Sequence, residues 1–242
     1  MTEPVDPGRR AELAERLAVV TDRIAVAARS AGRAPADVTL VAVTKTFPAA
    51  DVVHLRGLGV TEFAENRDQE ASAKAAAVAA VLGAGGPRWH FVGRLQRNKA
   101  RSVVRYADVV ESVDRPELVD ALAAAVAQHR TTPLDVLVQV SLDIAPGRGG
   151  AAPADVSRLA DAVAAAPGLR LLGLMAVAPY GADPGPAFAG LAEVAARLHH
   201  DHPGATVVSA GMSGDLEAAV AHGATHVRVG TALLGGRPPA SG

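Results

Sequence analysis

Three groups of residues in this chain could act together chemically: a lysine that closes a strand, two glycine-rich loops near the C-terminus, and an arginine inside the last strand. The lysine is Lys45, in Val41-Ala-Val-Thr-Lys-Thr46. Val38 to Val43 is β-branched and apolar, as a strand buried on both faces should be, and Thr46-Phe47-Pro48 stops the ladder. An amine delivered at a strand end can attack a carbonyl. The alternative for a lone lysine is a stem lying along the strand with its head in water. The loops are Ser209-Ala-Gly-Met-Ser-Gly-Asp215 and Gly230-Thr-Ala-Leu-Leu-Gly-Gly236. Gly211, Gly214 and Gly230 would let main-chain N–H groups approach an anion, and Ser213 and Thr231 could add hydroxyl donors. The same glycines could equally serve turns alone. Arg228 lies in His226-Val-Arg-Val-Gly230. Facing inward it needs a buried partner and could donate to a ring nitrogen or an anion; facing outward it is an ordinary ion-pair residue.

Other polar residues are weaker candidates. Asn66, just past Val60-Thr-Glu-Phe-Ala64, either bonds a ligand or caps the next helix. His90 alternates with Trp89 and Phe91 and reads as a satisfied core histidine rather than a base. His199-His200-Asp201-His202 has no second ligand group nearby, so a solvated loop is expected there rather than a metal. The basic run from Arg94 to Arg101 lacks interleaved aromatics and reads as a helix face near an anion site, not a nucleic-acid surface.

These residues must be positioned by an alternating chain. Leu13, Leu17, Val20, Ile24 and Ala27 recur at helical spacing and predict a helix from Pro7 to Arg33, ended by Gly32. Eight strands follow, over Val38–Val43, Val60–Ala64, Arg88–Val92, Asp108–Ser112, Leu134–Ser141, Leu169–Val177, Thr206–Ser209 and Thr225–Val229. Helices are expected between them, one opening in Gly93 to Lys99 and another after the glycine-rich loop Pro146 to Gly150. The rhythm predicts a single (β/α)8 TIM-type barrel with an extra N-terminal helix: a flexible N-terminus over 1–7, the barrel over 8–237 and a flexible tail over 238–242. In such barrels reactive groups gather at the C-terminal ends of the strands, and phosphate commonly sits after strands seven and eight. The lysine and the anion cradle are thereby expected to face each other across the mouth.

Composition narrows the partners. The 242 residues carry 24 basic and 25 acidic side chains, a net charge of −1, so no nucleic-acid footprint is expected. The absence of cysteine excludes disulfides, thiolate metal sites and a cysteine nucleophile. The polar N-terminus and the lack of a long apolar run predict a cytoplasmic protein without membrane contact. No apolar strand or heptad suggests self-association, so a monomer is expected.

An amine, a phosphate cradle and an arginine together suit an aldehyde-bearing phosphate held as a Schiff base. Pyridoxal phosphate fits all three groups. A sugar phosphate in an aldolase fits less completely, because that chemistry needs acid and base residues that the sequence does not place. Ala42-Val-Thr-Lys-Thr46, Ala64-Glu-Asn66, Trp89-His-Phe-Val-Gly-Arg-Leu-Gln-Arg-Asn-Lys99, Gly173-Leu-Met175, Gly211-Met-Ser213 with Asp215, and Arg228-Val-Gly-Thr231 resemble the YggS/PROSC family of pyridoxal phosphate homeostasis proteins, whose barrel is like the N-terminal domain of alanine racemase. The resemblance implies that Lys45 forms the Schiff base. It also implies that Ser213, Gly230 and Thr231, with the amides of Gly211 and Met212, hold the phosphate. Arg228 would face the pyridine nitrogen and keep it unprotonated, and Asn66 would lie beside the ring. Ala64 replaces a usual glycine, Leu234 a phenylalanine and Arg148 a lysine. The expected function is to carry, buffer or deliver pyridoxal phosphate to apo-enzymes without turnover. The alternative is an amino-acid racemase, which needs bases on both faces of the ligand, one of them a tyrosine from a second domain. Neither Tyr106 nor Tyr180 lies in such a context.

Overall fold

In this computed structural model the described residues are 6–143 and 149–236, so Arg148 and most of the Pro146 to Gly150 loop lie outside them. The helical spacing near the N-terminus folds as α1 (Pro7–Ser30), capped by the Asp6 carboxylate and opened by a proline whose missing N–H costs nothing there. Helix therefore begins inside the segment 1–7 and stops three residues short of Arg33. The eight strands are β1 (Thr39–Val43), β2 (Glu62–Glu65), β3 (Arg88–Phe91), β4 (Val109–Val113), β5 (Leu134–Val140), β6 (Leu169–Ala176), β7 (Val207–Ser209) and β8 (His226–Val229). All pair parallel in chain order, and β8 closes on β1. The helices after them are α2 (Ala49–Gly57), α3 (Asp68–Leu82), α4 (Ala100–Val103), α5 (Pro116–His129), α6 (Val156–Ala165), α7 (Pro184–Asp201), α8 (Leu216–Ala221) and α9 (Thr231–Leu234).

Two local expectations differ. The segment from Gly93 does not open a helix; a 3-10 turn at Arg97–Lys99 precedes the one-turn α4, and Leu95 is buried as an anchor. The four-residue α9 directly after β8 is too short to show a helical period.

Successive strand residues point to opposite faces, and this alternation sorts the charges. Phe63, Trp89, Val227 and Val229 join Leu13, Val20, Leu216 and Leu233 in an outer core under α1, α3, α8 and α9. Phe91, Leu122, Phe188 and Leu198 form the other sector. Inside the barrel the buried apolar cluster is small: Val109, Leu137 and Met175. Polar groups supply much of the remainder. Arg88 and Arg170 both bind Asp135, Arg170 at 2.5 and 2.8 Å, and His90, Glu111, Ser209 and Arg228 are buried above them. Branched aliphatics usually fill this space.

Gly173 of β6 permits the approach of β7. Its φ is +150°, and a Cβ there would lie 1.9 Å from the Val207 carbonyl oxygen. Gly173→Ala is therefore expected to cost about 3 kcal/mol, from overpacking and backbone strain together. Thermal denaturation should show a Tm lowered by roughly 6 to 12 °C. An unchanged Tm would mean that the two strands can separate freely. Among the described residues, no helix is long and apolar enough to cross a membrane.

Candidate functional site

Lys45 sits in a tight turn at the end of β1. The Phe47 N–H donates to the Thr44 carbonyl at 3.0 Å, which makes Lys45 and Thr46 the two central residues. Lys45 is half-buried, and its ammonium has no hydrogen-bond or ion-pair partner among the described residues. The chain has three lysines. Lys74 is buried and bonded to Thr44, Glu65 and Glu70, while Lys99 lies exposed at 3.7 Å from Asp68. Lys45 is thus the one lysine of the three left without a carboxylate.

Register sets its neighbours. Val43 pairs with Ala64 and Ala42 with Val229, so Lys45, Asn66 and Gly230 stand one or two residues beyond paired positions on three adjacent strands. The amine and the last loop are accordingly neighbours on the rim. This corrects the expected placement across the mouth, which overlooked that closing the barrel brings first and last strands together.

Asn66 does not cap α3; the N-cap position is Arg67, and no side chain caps it. The Asn66 Oδ1 is buried and has no partner. Its main chain presses on Gly93, where a Cβ would lie 2.0 Å from the Asn66 carbonyl oxygen. The glycine in Trp89-His-Phe-Val-Gly93 is therefore required by a close backbone approach that fixes Asn66 at the rim.

The two glycine-rich loops are tied to each other. Ser213 Oγ accepts the Ala232 N–H at 3.3 Å, and the Gly211 carbonyl accepts the Arg228 N–H at 2.9 Å. Asp215 Oδ1 accepts the Met212 N–H at 2.5 Å, so that amide is already committed. Arg23 of α1 donates to the Ser213 carbonyl at 3.0 Å and pairs with Glu217 at 2.9 Å, pinning the loop from outside. Sequence reasoning missed Arg23, which looks like any polar-face residue of its helix. The N–H groups of Ser213, Gly214 and Thr231 donate to no protein acceptor among the described residues. Unpaired amides converging at a rim suit an anion.

Arg228 faces inward. Its Nη1 donates to the carbonyl and Oγ of Ser209 at 2.8 and 2.6 Å, and its Nη2 to the Ala176 carbonyl at 2.7 Å. The Glu111 carboxylate lies 3.7 Å away and accepts from Ser209 Oγ at 2.6 Å. Its other oxygen meets His90 Nδ1 at 2.5 Å, and His90 Nε2 meets Glu62. A polar chain thus crosses the barrel interior. Burial alone would raise the Glu111 pKa, but His90, Arg228 and Ser209 outweigh it and hold the group down at about 2. Burial alone would lower the His90 pKa, but Glu111 and Glu62 raise it to about 9. His90 is the paired interior histidine expected from its alternation. Glu62, Glu111 and Ser209 were not singled out, though period-two alternation of charged and apolar residues marks Glu62 and Arg228.

His202 pairs with Asp161 at 2.9 Å, and no group of three metal-ligating side chains occurs among the described residues. Arg94, Arg97, Lys99 and Arg101 are exposed. A cleft of about 570 Å³ is lined by Arg9, Arg16, Phe47, Asp51 and Leu234 rather than by Lys45, Asn66 or Arg228.

The chain matches the model of the alanine racemase N-terminal domain over residues 17–238. It is 47% identical over 245 residues to the pyridoxal phosphate homeostasis protein of Mycobacterium tuberculosis, covering 96% of this chain and 95% of that one. The Escherichia coli pyridoxal phosphate homeostasis protein is 38% identical over 229 residues, covering 93% and 97%. Among solved structures, PipY of Synechococcus elongatus with pyridoxal phosphate bound superposes with a TM-score of 0.78 at 36% identity, covering 92% of this chain and all of that one.

Proposed function

Because this chain belongs to the family of pyridoxal phosphate homeostasis proteins, built on the alanine racemase N-terminal domain, we propose that it binds pyridoxal phosphate at the barrel mouth. It carries, buffers or delivers this cofactor to apo-enzymes in the cytoplasm, as a monomer, without turning over a substrate. The observation that carries the reading is an unpaired amine, Lys45, on the strand end next to a loop with unpaired amides.

The residues present fit the group. Ser213, on the loop shaped by Gly211 and Met212, and Gly230 and Thr231, on the loop after β8, would take the phosphate. The orphaned Asn66 Oδ1 can accept a hydrogen bond beside the ring. The group, when bound, would supply an aldehyde open to the Lys45 amine and a pyridine ring able to withdraw electrons. Arg228 stays cationic, because Glu111 compensates its charge, and a guanidinium donates without accepting. A ring nitrogen placed against it would gain no proton from it, which would leave the ring a weak electron sink. Of the two tyrosines, Tyr106 is a half-buried residue packed on the outer core and Tyr180 is 96% exposed. These features support holding over turnover.

Purified protein should absorb at the wavelength of a protein-bound Schiff base, and borohydride should bleach that band and attach the reduced ligand to Lys45 on peptide mapping. A modified Lys99 or Lys74 would defeat the assignment. Incubating the loaded protein with L-amino acids in deuterated water should give no Cα exchange above that of free pyridoxal phosphate. Faster exchange would favour the racemase reading.

A further inference from the structure

Behind the Lys45 turn, on the outer face of the barrel, lies a buried cluster that ligand binding does not use. Lys74 of α3 is 7% exposed. Its ammonium has three protons and three acceptors: the Thr44 carbonyl at 2.7 Å, Glu65 Oε1 at 2.5 Å and Glu70 Oε1 at 3.1 Å. Glu65 is wholly buried; its Oε1 also accepts from Thr44 Oγ1 at 2.6 Å, while its Oε2 has no partner. Glu70, one turn before Lys74, accepts the Thr46 N–H at 2.5 Å. The cluster therefore grips Thr44 and Thr46, the two residues that flank Lys45.

Thr46 is the residue in need of a grip. Its φ is +70°, the only positive value at a non-glycine among the described residues. It stands third in the Thr44–Phe47 turn, with the left-handed backbone there alone, which is the type II position that ordinarily takes glycine. A β-branched side chain in that region is strained, and such strain persists only where the surroundings impose it. A buried ion pair adds little net stability, since desolvation offsets the Coulomb attraction. Fixing a geometry is the better account of a carboxylate buried with one oxygen unpaired.

We infer that Lys74, Glu65 and Glu70 form a clamp that holds Thr46 in its left-handed conformation and so aims Lys45 at the barrel mouth, making Lys74 a positioning residue for that amine. The inference rests on Lys45 being the ligand-holding amine. Without the clamp the Thr44–Phe47 turn can relax to an unstrained form in which the Lys45 stem leaves the strand end in another direction.

The test compares the wild type with Lys74→Met/Glu65→Gln, which removes the cation without stranding a buried charge, and with the same variant carrying Thr46→Gly. Glycine adopts a positive φ without strain, so it should replace what the clamp provides. Two signals are read: the pyridoxal phosphate concentration that half-saturates borohydride trapping at Lys45, and, with no ligand present, the acetic anhydride labelling rate of Lys45 relative to Lys99. In the double variant the half-saturating concentration should rise roughly tenfold, the scale of one strained residue, with a cooperative melt retained and an altered labelling ratio. Adding Thr46→Gly should reverse most of both changes. Wild-type trapping and labelling in the double variant would overturn the clamp. So would a triple variant that melts cooperatively yet remains as impaired as the double. If the wild type traps ligand elsewhere, the reading of Lys45 falls, and the labelling ratio alone then decides whether Lys74 positions it.

Discussion

Lys45→Ala should abolish the long-wavelength band of the ligand-loaded protein while leaving its melt nearly unchanged. The ammonium has no protein partner among the described residues, so its removal breaks no ion pair, and a half-buried substitution of this kind costs about 1 kcal/mol or less. The ligand loses one of two tethers. Joining two attachments turns the second into an intramolecular event worth on the order of 100-fold or more in retention. Dialysis followed by fluorescence or mass measurement of retained pyridoxal phosphate should show that loss, with residual weak binding through the loops and Arg228. Retention equal to the wild type would mean that the phosphate contacts alone hold the ligand. With three lysines in the chain, peptide mapping leaves no ambiguity over the attachment point.

Glu111→Ala should be the most destabilising single change in the barrel interior. It would leave Arg228 buried without its carboxylate and strip His90 of its fully buried partner. Breaking a buried charge network from one side costs about 3 to 5 kcal/mol, roughly 10 °C in Tm for a chain of this size. Glu111→Gln, which keeps the size and an acceptor, should cost less. The same network sets a pH dependence. Glu111 is held down at about 2 in the fold against an ordinary 4.5, so its contribution is present above 4.5 and lost as the pH falls toward 2. His90 is raised to about 9 against an ordinary 6.5, so its contribution is complete below 6.5 and lost as the pH rises through 9. Unfolding free energy by denaturant titration should therefore decline by on the order of 2 kcal/mol between pH 6.5 and 9.5. That decline should shrink in Glu111→Ala. A wild-type profile flat across this range would remove the charged His90 from the account.

Much of this was legible because strands and helices announce themselves by period. The eight strands fall within one or two residues of their expected ends, and Lys45 stands where β1 predicts it. The clamp and the interior chain were not legible, since both join residues far apart in sequence: Thr44 with Lys74, Glu111 with Ser209 and Arg228. A sequence shows that Glu111 is charged and lies in a strand, but not that a histidine and an arginine wait on either side. The rim geometry was misjudged for a topological reason. The alternation predicts a closed barrel, yet placing the amine across the mouth from the last loop sets β1 opposite β8, whereas closure makes them neighbours.

That closure has a consequence for biosynthesis. Lys45 is made early, whereas the two loops proposed to take the phosphate follow Ser209 and Val229. Until the β8 segment emerges, the turn that carries Lys45 lacks the strand that flanks it in the finished barrel. On the proposed reading, loading must therefore wait until β8 has closed on β1.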